Sequence, residues 1–126
     1  MHERLSTSAG WRCWVVEGAG PEELAGTVWL QAVEKIPNPT AEPERHGYIT
    51  NLYVRPGDRG RGLGEALLVA ALRACDDGHF DAVLLWPSPE SRTLYERHGF
   101  AVRDDLFERR RAPEAPSALT FRPRHP

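Results

Sequence analysis

YITNLYVRPGDRGRGLGEALLVAALRAC, Tyr48 to Cys75, reads as a strand, a tight glycine-arginine loop and an amphipathic helix. Tyr48 to Val54 is rich in β-branched and aromatic residues, and Pro56-Gly57 ends the run, which is a strand signal. From Gly62 onward Leu63, Leu67, Ala70, Ala71 and Ala74 recur at helical spacing, so the period switches from two to 3.6. Between the two lies RGRGLG, Arg59 to Gly64. A glycine-rich turn feeding a helix N-terminus aims unpaired backbone N–H groups at one point, where the helix dipole also favours negative charge. Gly60, Gly62 and Gly64 carry no side chain to keep a ligand off the backbone, and Arg59 and Arg61 add forked donors suited to phosphate oxygens. The loop therefore suits a pyrophosphate. The plainer reading is a turn with a solvated basic face.

Two commoner phosphate loops are excluded by inspection. A P-loop needs Gly-Lys followed by Ser or Thr, and here Leu63 follows Gly62. The dinucleotide fingerprint G-x-G-x-x-G fails as well, because its third glycine falls on Glu65 counted from Gly60 and on Leu67 counted from Gly62. What remains is R-x-x-G-x-G after a strand ending in V-R-P. On Arg59, Gly62 and Gly64, the preceding LYVRP and a later SPESRTLYERHGF (Ser88 to Phe100), the chain resembles the GNAT superfamily of N-acetyltransferases.

Composition frames that resemblance. The 126 residues suit one domain, with 1–10 as a lead-in and 108–126 as an Arg/Pro-rich tail. With 40% hydrophobic and 27% charged residues the chain reads as globular and soluble. No apolar run reaches the length of a membrane span, and the polar start MHERLSTSAGW lacks a signal-peptide core, so the expected place is the cytoplasm with no membrane partner. A net charge of −2 argues against a general nucleic-acid binder. Cys13 and Cys75 give neither a metal-ligand spacing nor a disulfide framework and read as buried thiols, so no metal is expected.

Taken in order, Trp11 to Glu17 and Ala25 to Lys35 are strands joined by the turn-forming GAGPEE, the second apolar on both faces as a central strand should be. Ile36 to Arg45 holds three prolines and reads as a long surface loop of the kind that borders sites. Asp81 to Trp86 is a short buried strand that, following a helix, should pair in parallel. Ser88-Pro89-Glu90 signals a helix start, and Gly99 its end, with Arg97 and His98 in the last turn. Phe100 to Phe107 reads as another strand, and Ala118 to Phe121 as a last strand or part of a loose tail. The expected architecture is an α/β (α+β) fold: a mixed, mostly antiparallel sheet with helices on its faces, in the order β-β-β-α-β-α-β, with or without one more strand. This is similar to the GNAT fold except at the start, where the family usually places a strand and one or two helices that wall the acceptor site. Exposed strand edges and a missing layer would suit a homodimer.

The resemblance implies an acetyl-CoA-dependent N-acetyltransferase, acting on a primary amine of a small molecule or protein by direct attack on the thioester. It implies that main-chain groups of Leu52, Tyr53 and Val54 hold the pantetheine arm and face the thioester oxygen. Arg59, Gly60, Arg61, Gly62, Leu63 and Gly64 would grip the pyrophosphate. The family pattern N-x-x-A-x-x-L-Y falls on Ser88, Ser91, Leu94 and Tyr95, with serine in place of asparagine and of alanine. Tyr95 would protonate the departing thiolate, or else be an aromatic packed on its helix; Ser88 and Ser91 would lie near the pantetheine, and Ser88 serves equally as a helix cap. A lysine-type amine, with a reference pKa near ~10.4, needs a base. Many family members have a glutamate where Tyr48 stands, so the candidates are Glu44 and His46 just before it, with Glu34 nearby and Asn51 able to orient a water. The competing reading keeps the cofactor clamp without the chemistry: a non-catalytic acyl-CoA-binding or regulatory module.

Overall fold

Alternating apolar residues build the sheet of the first unit. The computed structural model describes residues 2–5, 10–18, 23–34 and 45–112, which fall into two units, Met1–Leu85 and Trp86–Pro126. In the first, β1 (His2–Leu5), β2 (Trp11–Glu17), β3 (Leu24–Glu34), β4 (Arg45–Val54) and β5 (Ala82–Leu84) form one sheet in sequence order. The first three pairings are antiparallel and β4–β5 is parallel. The mixed, mostly antiparallel sheet is as expected, and β3 is its middle strand.

Helix α1 (Leu63–Asp77) packs on one face. Its Leu67 and Leu68 are fully buried with Ala71, Ala74 and Cys75, and so are Val28, Leu30 and Ile49 on the strands. Gly26 lets the helix come close: a Cβ there would lie 3.0 Å from Leu67 Cδ1 and 2.9 Å from the Tyr53 carbonyl oxygen. The other face carries Trp11, Cys13, Trp29, Gln31, Tyr48 and Thr50, placed together by the register pairs Trp11–Gln31, Cys13–Trp29, Gln31–Tyr48 and Trp29–Thr50. Trp11 meets Trp29 and Tyr48 edge to face, at 6.1 and 6.3 Å between ring centres.

Several expectations need correction. The lead-in contains a strand, β1, whose residue Glu3 lies opposite Trp14. Glu3 also takes a two-point ion pair from Arg12, with Nη2 at 2.8 Å from Oε1. HERL has no period of its own, so only the cross-strand partner makes it a strand. Phe100 to Phe107 forms no strand among the described residues. Val102 and Phe107 stand 81% and 97% exposed, and the charged Arg103-Asp104-Asp105 between them breaks any period-two pattern. The strand expected at Asp81 to Trp86 shrinks to the three residues of β5. Residues 35–44 and 118–121 lie outside the described residues.

In the second unit the helix expected from Ser88 begins later, as α2 (Arg92–Arg97) with Ser91 at its cap. Serine followed by proline is also the start of a β-turn, and here the Ser91 N–H donates to the Ser88 carbonyl at 3.1 Å. The end of α2 is where the sequence puts it. Gly99 is left-handed (φ 89°), Phe100 N–H reaches Tyr95 O at 3.1 Å and Gly99 N–H reaches Glu96 O at 3.2 Å, the paired bonds of a Schellman cap. Among the described residues no helix is long and apolar enough to cross a membrane.

The same cap closes α1, with Phe80 N–H on Cys75 O at 3.0 Å and His79 N–H on Asp76 O at 3.1 Å, but its left-handed residue is the exposed His79 (φ 56°). His79→Gly should therefore stabilise the protein by roughly 0.5–1 kcal/mol in urea unfolding, with an unchanged m-value. Burial pushes the Cys75 thiol up from 9.0 to about 11, so the fold favours its protonated form. That stability is fully present below pH 9 and is lost as pH rises towards 11, amounting to roughly 2–3 kcal/mol. Chemical unfolding across this range should show the loss in the wild type and a flatter profile in Cys75→Ala.

Candidate active site

β4 changes character at its midpoint. Its pairing with β3 shifts between Thr27–Tyr53 and Trp29–Thr50, so Val28 faces two residues, Asn51 and Leu52. This is a β-bulge. Asn51 adopts φ 54°, a left-handed conformation that asparagine tolerates better than the β-branched residues around it. On the other side β5 pairs only with His46, Gly47 and Tyr48, so β4 outruns it from Ile49 onward. Leu52 and Tyr53, both expected to present main-chain groups, thus lie at or beside the bulge on a stretch of edge that β5 does not cover. Val54 differs, because its carbonyl accepts the Arg59 Nε–H at 2.9 Å. An asparagine inside a β-branched run was the available signal for the bulge.

Beyond β4, Pro56–Asp58 make a 3-10 turn. The Asp58 carboxylate takes Nε and Nη2 of Arg55 on one oxygen, at 2.8 and 2.7 Å, and Nη1 of Arg61 on the other at 3.1 Å. The Arg55 hydrogen bonds hold the Asp58 carboxyl below the usual carboxylate range, with Arg61 adding to the effect. The Arg59 guanidinium lies 5.8 Å from the centre of the Tyr53 ring.

Gly60 and Gly62 are both left-handed, at φ 82° and 76°, and a Cβ on either would meet nothing within 4 Å. With no side chains there, the main chain at both glycines is bare and exposed, an open cradle and not a walled pocket. Gly62 caps α1, whose first main-chain bond is Ala66 N–H to Gly62 O at 3.0 Å. The N–H groups of Leu63 and Gly64 precede that bond and, at the first turn, have no acceptor four residues back within the helix. Exposed main chain, helical N–H groups and two arginines are a donor set that would suit the pyrophosphate of coenzyme A.

Among the candidate bases, Glu44 lies outside the described residues. His46 is half-buried on β4, opposite Val33 and beside Ala82, and shares with Tyr48 and Thr50 the face turned away from α1. Glu34, at the exposed end of β3, is 3.8 Å from Arg45.

In the second unit Ser88 and Ser91 bond each other. Their hydroxyls are 2.8 Å apart, the Ser88 N–H donates to Ser91 Oγ at 3.0 Å, and Ser91 Oγ donates to the Ser88 carbonyl at 3.1 Å. Ser91, not Ser88, stands at the N-cap position of α2, and its side chain makes no capping hydrogen bond to the helix. Tyr95 is buried, its ring 5.6 Å from that of Phe100 at an angle of 67°. Burial raises the phenol's pKa, and a hydrogen bond with the Ser91 side chain partly opposes this.

Residues 1–100 match the model of the Acetyltransferase (GNAT) family. The chain belongs to that family. A mycothiol acetyltransferase of Beutenbergia cavernae is 37% identical over 90 residues, which are 69% of this chain and 27% of that protein. A crystal structure of a predicted acetyltransferase with acetyl-CoA from Clostridium acetobutylicum superposes with a TM-score of 0.69 at 25% identity, covering 80% of this chain and 64% of that one. A GCN5-related N-acetyltransferase from Ralstonia eutropha gives 0.67 at 28% identity, covering 79% of this chain and 65% of the other. The chain thus spans about a quarter of that curated relative and just under two-thirds of these two structures.

Gly62→Asp tests the loop. Aspartate tolerates the left-handed region and suits a helix N-terminus, so the fold should survive with a melting temperature within a few degrees of wild type. A carboxylate facing the cradle should weaken coenzyme A binding at least about tenfold by calorimetry.

Proposed function

We propose that the protein is an acetyl-CoA-dependent N-acetyltransferase that acetylates a primary amine of a small molecule or protein by direct attack of the amine on the thioester. The observation that carries this reading is the cradle of Gly60 and Gly62 at the open N-terminus of α1, next to a bulged strand edge that β5 leaves uncovered. Family membership supports it.

Acetyl-CoA, when bound, supplies an acetyl thioester whose carbonyl carbon an amine nitrogen can attack. The chain's part begins with positioning. Arg59, Arg61 and the N–H groups of Leu63 and Gly64 hold the pyrophosphate, and the main chain of Leu52 and Tyr53 aligns the pantetheine arm. An N–H from the bulge facing the thioester oxygen would stabilise developing negative charge, and one such preorganised donor contributes roughly 3–4 kcal/mol. His46 or Glu44 takes the amine proton, directly or through a water. Tyr95 returns a proton to the sulfur as the C–S bond breaks. Its raised pKa makes the transfer less favourable thermodynamically but keeps the phenol in its donor form throughout the neutral range. The acceptor approaches over the face bearing Trp29, Tyr48 and Thr50, which α1 leaves open.

One observation favours the non-catalytic alternative: Tyr95 is well accounted for as packing against Phe100. Thiol release from acetyl-CoA across an amine panel separates the two. Tyr95→Phe should lower kcat about a hundredfold while leaving the Kd for coenzyme A unchanged. Because burial moves the phenol above its ordinary range, any alkaline decline of the wild-type kcat that belongs to Tyr95 should come at higher pH than a free phenol would give. Equal rates in both proteins remove Tyr95 from the mechanism, and tight acetyl-CoA binding with no turnover of any amine supports the binding module.

A further inference from the structure

An acidic residue inside a loop built for a doubly charged anion needs a reason. Asp58 is that residue, and the bonds around it supply one. Its side chain is 14% exposed, against 67% for Arg61. It is fastened on one side to Arg55, whose own N–H donates to Ala25 O at 2.7 Å and whose Nη1 reaches Glu23 Oε2 at 3.1 Å. Ala25 and Glu23 belong to the β2–β3 hairpin and its turn, so the carboxylate is moored to the sheet. On its other side Oδ1 receives one nitrogen of Arg61, leaving the remaining donors of that fork available.

We propose that Asp58 is a positioning residue of the cofactor loop: it moors Arg61 at the mouth of the cradle so that the arginine is already ordered when a pyrophosphate arrives. This rests on the reading of the loop as a coenzyme A site. A free arginine loses much rotamer entropy when a ligand fixes it, and ordering it beforehand removes that cost from binding. The opposing effect is repulsion between carboxylate and phosphate. Arg55 and Arg61 share the Asp58 charge between them, so the ordering wins.

The two effects give opposite signs, which makes the inference testable by calorimetry with coenzyme A and with pantetheine, which lacks the pyrophosphate. Asp58→Asn should weaken coenzyme A about tenfold although it removes a negative charge beside an anion, and should leave pantetheine unchanged. Arg61→Ala should lose about the same for coenzyme A, and the double variant no more than either single one. Arg61→Ala touches neither Arg55 nor the hairpin, so its loss is readable even where Asp58→Asn is too unstable to titrate. Tighter or unchanged coenzyme A binding by Asp58→Asn overturns the proposal, as do additive losses in the double variant or an Arg61→Ala that binds like wild type. A wild type that fails to bind coenzyme A sinks the functional reading and this inference with it, an outcome distinct from the others.

Discussion

The constraint that organises the first unit is a mismatch of length: β4 runs for ten residues beside a β5 of three. Along β3 the longer strand is paired from Arg45 to Val54 except at the bulge, but beside β5 the ladder ends at Tyr48. Main-chain N–H and C=O groups left without partners in a protein interior are costly, so an uncovered edge next to a buried helix has to be wetted or filled. The bulge at Asn51 and Leu52 sharpens this, because the extra residue falls out of the ladder and the strand bends where it outruns its neighbour. A ligand able to add itself as a partial strand meets both needs, and the helix N-terminus a few residues on faces the same problem with the same kind of donor.

The arginines near that N-terminus show how charge is apportioned. Of Arg55, Arg59 and Arg61, the first is committed to Asp58 and the hairpin, and the second has its Nε on Val54 O. Arg59 and Arg61 are both exposed and each is anchored through one side-chain nitrogen, Arg59 on a main-chain carbonyl and Arg61 on the Asp58 carboxylate. A basic loop counted from sequence therefore overstates the charge that an incoming anion meets. What it does meet is better ordered.

The glycine loop and the helix it feeds were legible in the sequence because glycines and a change of period are local signals. Gly60 and Gly62 take left-handed angles that favour glycine, as Gly99 does in its helix cap. The parts that were misread depend on partners distant in sequence. HERL is a strand because β2 lies beside it, while the more apolar Phe100 to Phe107 forms none among the described residues. Ser-Pro-Glu fits a helix start and a turn equally well, and the hydroxyl pair of Ser88 and Ser91 decided for the turn. Nothing in the sequence marks Asp58; only its distances to two arginines set it apart.

The two sides of the proposed site rest on different kinds of structure. Cofactor binding draws on main-chain groups fixed by register, by two positive φ angles and by a helix terminus, none of which needs a particular side chain beyond glycine and arginine. The acceptor face is made of side chains: Trp11, Trp29 and Tyr48 in edge-to-face contact, with Thr50 and His46 on the same strand face. Substitution there changes shape and polarity while leaving the hydrogen-bonded frame of the sheet in place. A fold arranged this way can keep one acyl donor and exchange acceptors, since the residues that choose the acceptor are not those that hold the strands together.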